Sequence, residues 1–227
     1  IDLLVANVDP ATRVIATLKE RYHCAQISSD QHLIDMCISK KKLQLLCEEK
    51  GIKCIPLASN VEFPCFVKPD YGSASVGARL IASPVDLADA MKGDPTLIVQ
   101  KFMDGKEYTV DCYISKQGVI CGISPRERVA TAGGEVVISK TLRNKALINL
   151  STDIIKKLAF IGAITLQFIV DKKASEIYLM EINPRFGGGV IAAIESGFNY
   201  PLMMLQDTLN EEPIVVRTGK EIIMKRY

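Results

Sequence analysis

Two apolar runs near the C-terminal end of the chain, Ala163-Ile-Thr-Leu-Gln-Phe-Ile-Val-Asp171 and Tyr178-Leu-Met-Glu-Ile-Asn183, flank the short polar stretch Lys172-Lys-Ala-Ser175. Runs of this kind around a polar turn predict a tight antiparallel hairpin. Such a hairpin demands a sheet whose apolar side is covered by helices, which already excludes an all-helical fold. Its polar residues are as constraining as its apolar ones. Glu181, Asn183 and Arg185 stand two apart, and the strand period of two places all three on one face. The hairpin sets Gln167 within about a residue of opposite Glu181. A carboxylate beside two amide oxygens makes a seat for a divalent cation, and the adjoining guanidinium suits phosphoryl oxygens. Gly187-Gly-Gly189 follows, where the backbone can come close to a ligand or offer amides to a carboxylate.

The remaining pattern divides the chain into three parts. Residues 1–60 alternate short strands (Leu3 to Ala6, Cys24 to Ile27) with helices near Ala11 to Tyr22 and Ser39 to Lys50, the second ending on Gly51: a small α/β lobe. Its first residues, Ile1-Asp-Leu-Leu-Val-Ala6, read as an interior strand, so the lobe is expected to be incomplete at its start. Residues 61–100 hold a strand from Phe63 to Pro69, a Gly/Ser loop, a second strand (Val76 to Ile81), a helix opened by Ser83 (Pro84 to Met91) and a third strand (Thr96 to Gln100). About forty residues are too few for a large core, so this part reads as a lid. Residues 101–227 carry alternating strands (Glu107 to Ser115, Val119 to Ser124), a helix near Asn144 to Ile161 and the hairpin, which together predict an antiparallel sheet with helices packed on it.

Charge and cysteine content narrow the function classes. The 28 basic and 26 acidic residues of this 227-residue chain are interspersed, leaving no electrostatic footprint for nucleic acid or anionic lipid. No apolar segment approaches the roughly 18 uninterrupted residues that span a bilayer, and no charged-then-apolar leader is present, so a cytoplasmic protein without a membrane partner is expected. The seven cysteines lack CxxC spacing and sit beside apolar segments, which predicts buried inert thiols in a reducing compartment. The only two histidines, His23 and His32, pair with no cysteine at zinc-ligand spacing.

A second constellation lies upstream. Lys68 ends an apolar strand just before Pro69-Asp-Tyr-Gly-Ser-Ala-Ser-Val-Gly77, where small residues and backbone amides are able to cover a phosphate. The spacing from Gly72 to Gly77 resembles a Walker A loop, but Ala78 and Arg79 stand where Lys and Ser or Thr are required, and a strand follows instead of a helix, so that reading fails. A plain hairpin turn is the competing reading of this loop. Lys40 lies at the start of a helix, where a bound phosphate offsets its unfavourable interaction with the dipole; Lys41 and Lys42 read as a solvated face.

Taken in order, Lys40, Lys68, the 72–77 loop, Gln100-Lys-Phe-Met-Asp-Gly-Lys-Glu-Tyr-Thr-Val-Asp111, Gln167 and Glu181-Ile-Asn-Pro-Arg185 resemble the ATP-grasp superfamily. The likeness is greatest to the halves of the carbamoyl phosphate synthetase large subunit and to biotin carboxylase, and covers nearly the whole chain. The resemblance implies an α/β N-terminal lobe followed by two α+β lobes that grip ATP between them. It implies that Lys40 and Lys68, with Gly72 and Ser73 of the loop, contact ATP phosphates. Gln100, where the family usually has glutamate, then faces the adenine amino group, Lys101 and Met103 read the adenine edge through their backbone, and Glu107 binds ribose. Gln167, Glu181 and Asn183 match ligands of Mg²⁺, for which Mn²⁺ can substitute, and Arg185 matches the arginine at the transferred phosphoryl group. In Ser124-Pro-Arg-Glu-Arg-Val-Ala-Thr-Ala-Gly-Gly-Glu135 the resemblance points to an active-site arginine, Arg128 before Arg126; an ion pair of either with Glu127 or Glu135 is the plain alternative.

The chemistry so implied is ATP-dependent activation of a carboxylate as an acyl phosphate, followed by attack of an amine. The partners are then a small-molecule carboxylate and amine, and a homo-oligomer is compatible with the sequence. Two other readings share the fold: an ATP-binding regulatory protein without turnover, and carbamoyl phosphate synthesis, which in the enzymes resembled needs two such units.

Overall fold

The computed structural model describes residues 2–18, 21, 23–58, 60–72 and 75–226. The N-terminal part is helical: α1 (Asp9–Thr17), α2 (Gln31–Ile38) and α3 (Lys40–Glu49). Its two expected strands shrink to a single parallel bridge, Leu3 to Ala25, because neither segment has a further neighbour to extend the ladder. Helix α2 was not expected. Asp30 caps it by accepting from the Leu33 backbone amide at 2.9 Å, and Leu33, Ile34 and Cys37 form its buried stripe. Ser39 ends α2 and caps α3, accepting from Lys42 N at 3.2 Å.

The middle part is a three-stranded antiparallel sheet of order β2-β1-β3, from β1 (Cys65–Pro69), β2 (Arg79–Ile81) and β3 (Leu97–Lys101), with α4 (Pro84–Gly93) packed on it through Ala90, Leu87 and Met91. Ser83 caps α4 as its position before a proline suggests.

The larger sheet has six strands in the order β8-β7-β4-β5-β6-β9: β4 (Gly105–Ile114), β5 (Ile120–Ala132), β6 (Glu135–Thr141), β7 (Gly162–Asp171), β8 (Ile177–Asn183) and β9 (Ile223–Lys225), all antiparallel. Helix α5 (Lys145–Leu158) covers one face, where Val110, Cys112, Leu166, Phe168, Leu179 and Ile182 meet Leu147, Ile154 and Ile155 in the main core. Helices α6 (Val190–Glu195) and α7 (Tyr200–Thr208) cover part of the other face around Tyr113, Ala163 and Phe198. The rest of that second face carries polar side chains.

Residues 53–58 stitch the two sheets together. Lys53 O accepts from Leu179 N at 2.9 Å and Ile55 N donates to Leu179 O at 3.1 Å, and Ala58 N donates to Val99 O at 2.9 Å. One connector thus fixes β8, with Glu181 and Asn183, relative to β3, with Gln100. All seven cysteines are free thiols, five of them buried. Burial pushes the Cys121 thiol up to about 11 and raises Cys37 and Cys112 as well, as expected of inert core thiols. Among the described residues no helix is long and apolar enough to cross a membrane.

Candidate functional site

The polar face of the large sheet is organised in rungs. Residues directly opposite one another across antiparallel strands point to the same side. Arg126 on β5 is opposite Thr109 on β4, Thr109 is opposite Gln167 on β7, and Gln167 is opposite Glu181 on β8. The neighbouring rung is Ser124, Asp111, Thr165 and Asn183. Gln167, Glu181 and Asn183 therefore meet on two adjacent rungs, with Gln167 and Glu181 in direct register. A β-bulge makes this possible. Gln167 pairs with Glu181 while the next residue, Phe168, pairs with Leu179, so Met180 is the extra residue on β8. Leu179 faces the core and Glu181, two residues on, faces the cleft, a switch that unbroken strand alternation forbids.

Arg185 lies beyond the end of β8. Its Nε and Nη2 donate to the two carboxylate oxygens of Asp9 at 2.6 and 2.8 Å, Nη2 reaches Asn183 Oδ1 at 3.2 Å, and Nη1 donates to the Phe186 carbonyl at 3.1 Å. The fork is held from the N-terminal lobe, at the first residue of α1. Asp9 was not among the expected site residues. Asp9-Pro10 is a good helix start, but nothing local announces a partner 176 residues away.

The alternative reading of the 124–135 stretch, an ion pair of Arg126 or Arg128 with Glu127 or Glu135, is not what the fold shows. Arg126 is fully buried and its Nε donates to Asp111 Oδ2 at 2.7 Å, while Arg128 Nε donates to Glu107 Oε2 at 3.0 Å and its Nη2 to the Gly134 carbonyl at 2.8 Å. Glu127 and Glu135 are taken by Lys106 and Arg226. Cross-strand neighbours outcompete sequence neighbours, which alternate to opposite faces. Two positions expected to act apart, Glu107 and Arg128, are thus brought together. Asp111, like Asp9, was missed. Its signal was a lone charge inside Tyr108-Thr-Val-Asp-Cys-Tyr113, where burial demands a counter-charge. Arg126 Nη1 and Thr109 Oγ1 are buried without a hydrogen-bond partner among the described residues.

The glycines after Arg185 fit this floor. A Cβ on Gly189 would stand 2.5 Å from Arg126 Nη1, and one on Gly187 would stand 3.0 Å from the Thr165 side chain. Together the rungs, the glycines and Asp9 enclose a cavity of about 230 Å³ that carries Arg126, Arg128, Arg185, Gln167, Glu181 and Asn183 on its walls.

Lys40 and Lys68 approach from the other lobes. Asp70, after β1, holds the α3 N-terminus: its carboxylate accepts from Ser39 Oγ at 3.0 Å and from Lys41 N at 2.8 Å, and Lys40 Nζ donates to the carbonyls of Asp70 and Gly72 at 3.2 and 3.0 Å. The negative charge at this helix end is the chain's own, with Lys40 beside it. Lys68 is perturbed by its surroundings. Burial lowers its pKa from the ordinary 10.5, and nearby Lys40 lowers it further against the opposing pull of Glu181 and Glu107. Gln100, buried on β3, donates its amide to the Ile55 carbonyl at 3.2 Å. Lys101 ends β3 with its backbone amide on the Pro56 carbonyl at 3.3 Å, and Met103 lies in the link to β4. Gly72 adopts φ +118, a conformation suited to glycine, and Ser73 lies outside the described residues.

Among the described residues no three His, Cys, Asp or Glu side chains converge as a metal-ligating group. The all-oxygen set of Gln167, Glu181 and Asn183 still fits a hard cation such as Mg²⁺ or Mn²⁺, provided the ligand contributes further oxygens, because it holds one negative charge.

A family profile described as ATP-grasp in the biosynthetic pathway with Ter operon matches residues 93–226. The chain is 25% identical over 215 residues to the carbamoyl phosphate synthase large chain of Pyrococcus furiosus, covering 82% of this chain and 20% of that protein. It is similar in structure to a biotin carboxylase–nucleotide complex from Campylobacter jejuni (TM-score 0.85, 16% identity, 98% of this chain and 58% of that one). It is also similar to N5-carboxyaminoimidazole synthetase from Staphylococcus aureus complexed with ADP (TM-score 0.83, 18% identity, 100% and 65%) and to an L-amino acid ligase from Bacillus licheniformis (TM-score 0.72, 18% identity, 92% and 55%). The chain thus spans about one fifth of the synthase and less than two thirds of each of these structures. The profile covers more than half of the chain and the fold agrees over nearly all of it: the chain belongs to the ATP-grasp family.

Proposed function

We propose that the chain forms the nucleotide and metal site of a ligase that uses ATP and Mg²⁺, with Mn²⁺ as a substitute, to activate a carboxylate as an acyl phosphate for attack by an amine. One observation carries the reading: Gln167 and Glu181 are in direct register, with Asn183 on the next rung and Arg185 beside it. The named ligase relatives support the reaction class.

In this reading Gln167, Glu181 and Asn183 hold the cation, which supplies positive charge to the terminal phosphate oxygens. Lys40, Lys68 and Arg185 spread the remaining charge. Lys68 is suited to this because its ammonium, desolvated in the free protein, gains a counter-charge when an anion arrives. Gly72 and Ser73 cover the phosphates. The amide oxygen of Gln100 accepts from the adenine amino group, since its nitrogen already donates to Ile55. Lys101 and Met103 meet the adenine edge and Glu107 the ribose, with Arg128 setting the orientation of Glu107. The carboxylate occupies the arginine-walled cavity, where closure of residues 61–100 keeps water from the acyl phosphate.

The test is ADP release from the intact protein against a panel of amino acids, small carboxylates and bicarbonate, each with and without an amine. Release that needs both an acid and an amine, and that Glu181→Ala abolishes while the thermal unfolding midpoint is kept, supports ligation. Turnover unchanged in Glu181→Ala overturns it.

A further inference from the structure

Asp9, whose carboxylate holds Arg185, lies on two cavities. The first is the arginine-walled one described above. The second, of about 390 Å³, lies between α1, the end of α2, the Tyr71–Gly72 loop and the end of β8. Asp9, Pro10, Glu181 and Asn183 line both. The other walls differ in kind. Val14, Ile38, Tyr71, Ile182 and Pro184 make the second cavity largely apolar. Among the described residues that line it the one cationic side chain, Arg13, is 60% exposed and held by Asp35 at 2.9 Å.

A cavity with apolar walls and the Asp9 carboxylate among them is complementary to an ammonium group on an apolar body. Burying an ammonium is costly without oxygen acceptors, and burying an apolar body against such walls is favourable. Arg126, Arg128 and Arg185 line the first cavity beside Asp9, Glu181 and Glu135, and none of the three lines the second. Asp9 keeps acceptor capacity for this role, because Arg185 uses one site on each oxygen of a carboxylate that offers about four.

We propose that the second cavity is the amine site, that it takes a primary amine with an apolar body, and that Asp9 is the ammonium anchor. This rests on the ligase reading, in which the amine is the substrate that is cationic at neutral pH. The shared residues Asp9, Glu181 and Asn183 then place the amine next to the point where the carboxyl group is activated.

Calorimetric titration of the intact protein, with ADP and Mg²⁺ present, tests this with three probes: phenethylamine, 3-phenylpropionate (the same body with a carboxylate) and ethylamine (the same head without the body). Phenethylamine is expected to bind roughly tenfold more tightly than either of the others. Val14→Trp, which fills the cavity from an exposed position on α1 without altering its charge, and Asp9→Asn are each expected to weaken phenethylamine by roughly tenfold. Equal affinity for phenethylamine and 3-phenylpropionate, or phenethylamine binding indifferent to Val14→Trp, overturns the site. The selective pattern supports the site even where no ADP release is found. ADP release without selective amine binding overturns the site and leaves the ligase reading standing.

Discussion

Asp9 and Arg185 meet through two parallel hydrogen bonds of 2.6 and 2.8 Å, joining the first turn of α1 to the chain just past β8. A planar guanidinium is able to span both oxygens of a carboxylate and an ammonium is not. Arg185→Met removes the counter-charge of a partly buried carboxylate and is expected to cost about 1–3 kcal/mol in urea unfolding. Arg185→Lys should recover part of that stability but little of the substrate-dependent ADP release.

The Asp111–Arg126 pair is more deeply buried, each side chain 2% exposed. Asp111→Ala leaves a guanidinium in the interior without a charge partner, and the expected loss is about 3–5 kcal/mol. The double variant Asp111→Leu with Arg126→Met should recover most of it, since the penalty comes from the stranded charge. Denaturant unfolding of the three proteins checks this, and a double variant as unstable as Asp111→Ala counts against it.

Gly189→Ala places a methyl group against the Arg126 guanidinium, which Asp111 prevents from moving aside. A loss of about 1–3 kcal/mol is expected. In the background of Arg126→Met the same change should cost less, and equal cost in both backgrounds would show that the contact is not the cause.

With Lys68 at the nucleotide phosphates as proposed, nucleotide affinity is expected to depend on pH. The Lys68 pKa is lowered in the free protein, and a bound anion favours the charged form, raising it. Binding therefore takes up a proton at pH values between the free and bound pKa. Affinity for ADP should be constant at low pH and fall as pH rises through the free-state pKa, which lies below 10.5. Lys68→Arg keeps its charge throughout and should abolish the decline in a titration of ADP binding against pH.

The candidate metal seat holds one formal negative charge. Gln167→Glu adds a second directly opposite Glu181 and is expected to tighten Mn²⁺ binding in the absence of nucleotide by roughly tenfold. Paramagnetic titration measures this, and unchanged affinity would place the cation elsewhere.

The C-terminal hairpin was legible in the residues because strand alternation and a polar turn are local properties. Gln167 and Glu181, expected within about a residue of register, are direct partners. The Ser83 cap was legible for the same reason: a cap depends on residues within one turn. The two N-terminal strands were misjudged because a strand exists only if a neighbour pairs with it, and Leu3 and Ala25 find one bridge.

Strand alternation and motif order thus made the C-terminal hairpin, its polar residues Gln167, Glu181 and Asn183, and the family resemblance legible from sequence alone, while helix α2, Asp9 and Asp111 were not. The tertiary structure decided the partners. Arg126 chose Asp111, Arg128 chose Glu107 and Arg185 chose Asp9 because antiparallel register and lobe packing bring together residues 15, 21 and 176 positions apart. The bulge at Met180 likewise turns Glu181 into the cleft while Leu179 stays in the core. Which charges face each other is set by distances through space, and in a strand the side chain next in sequence points to the opposite face of the sheet.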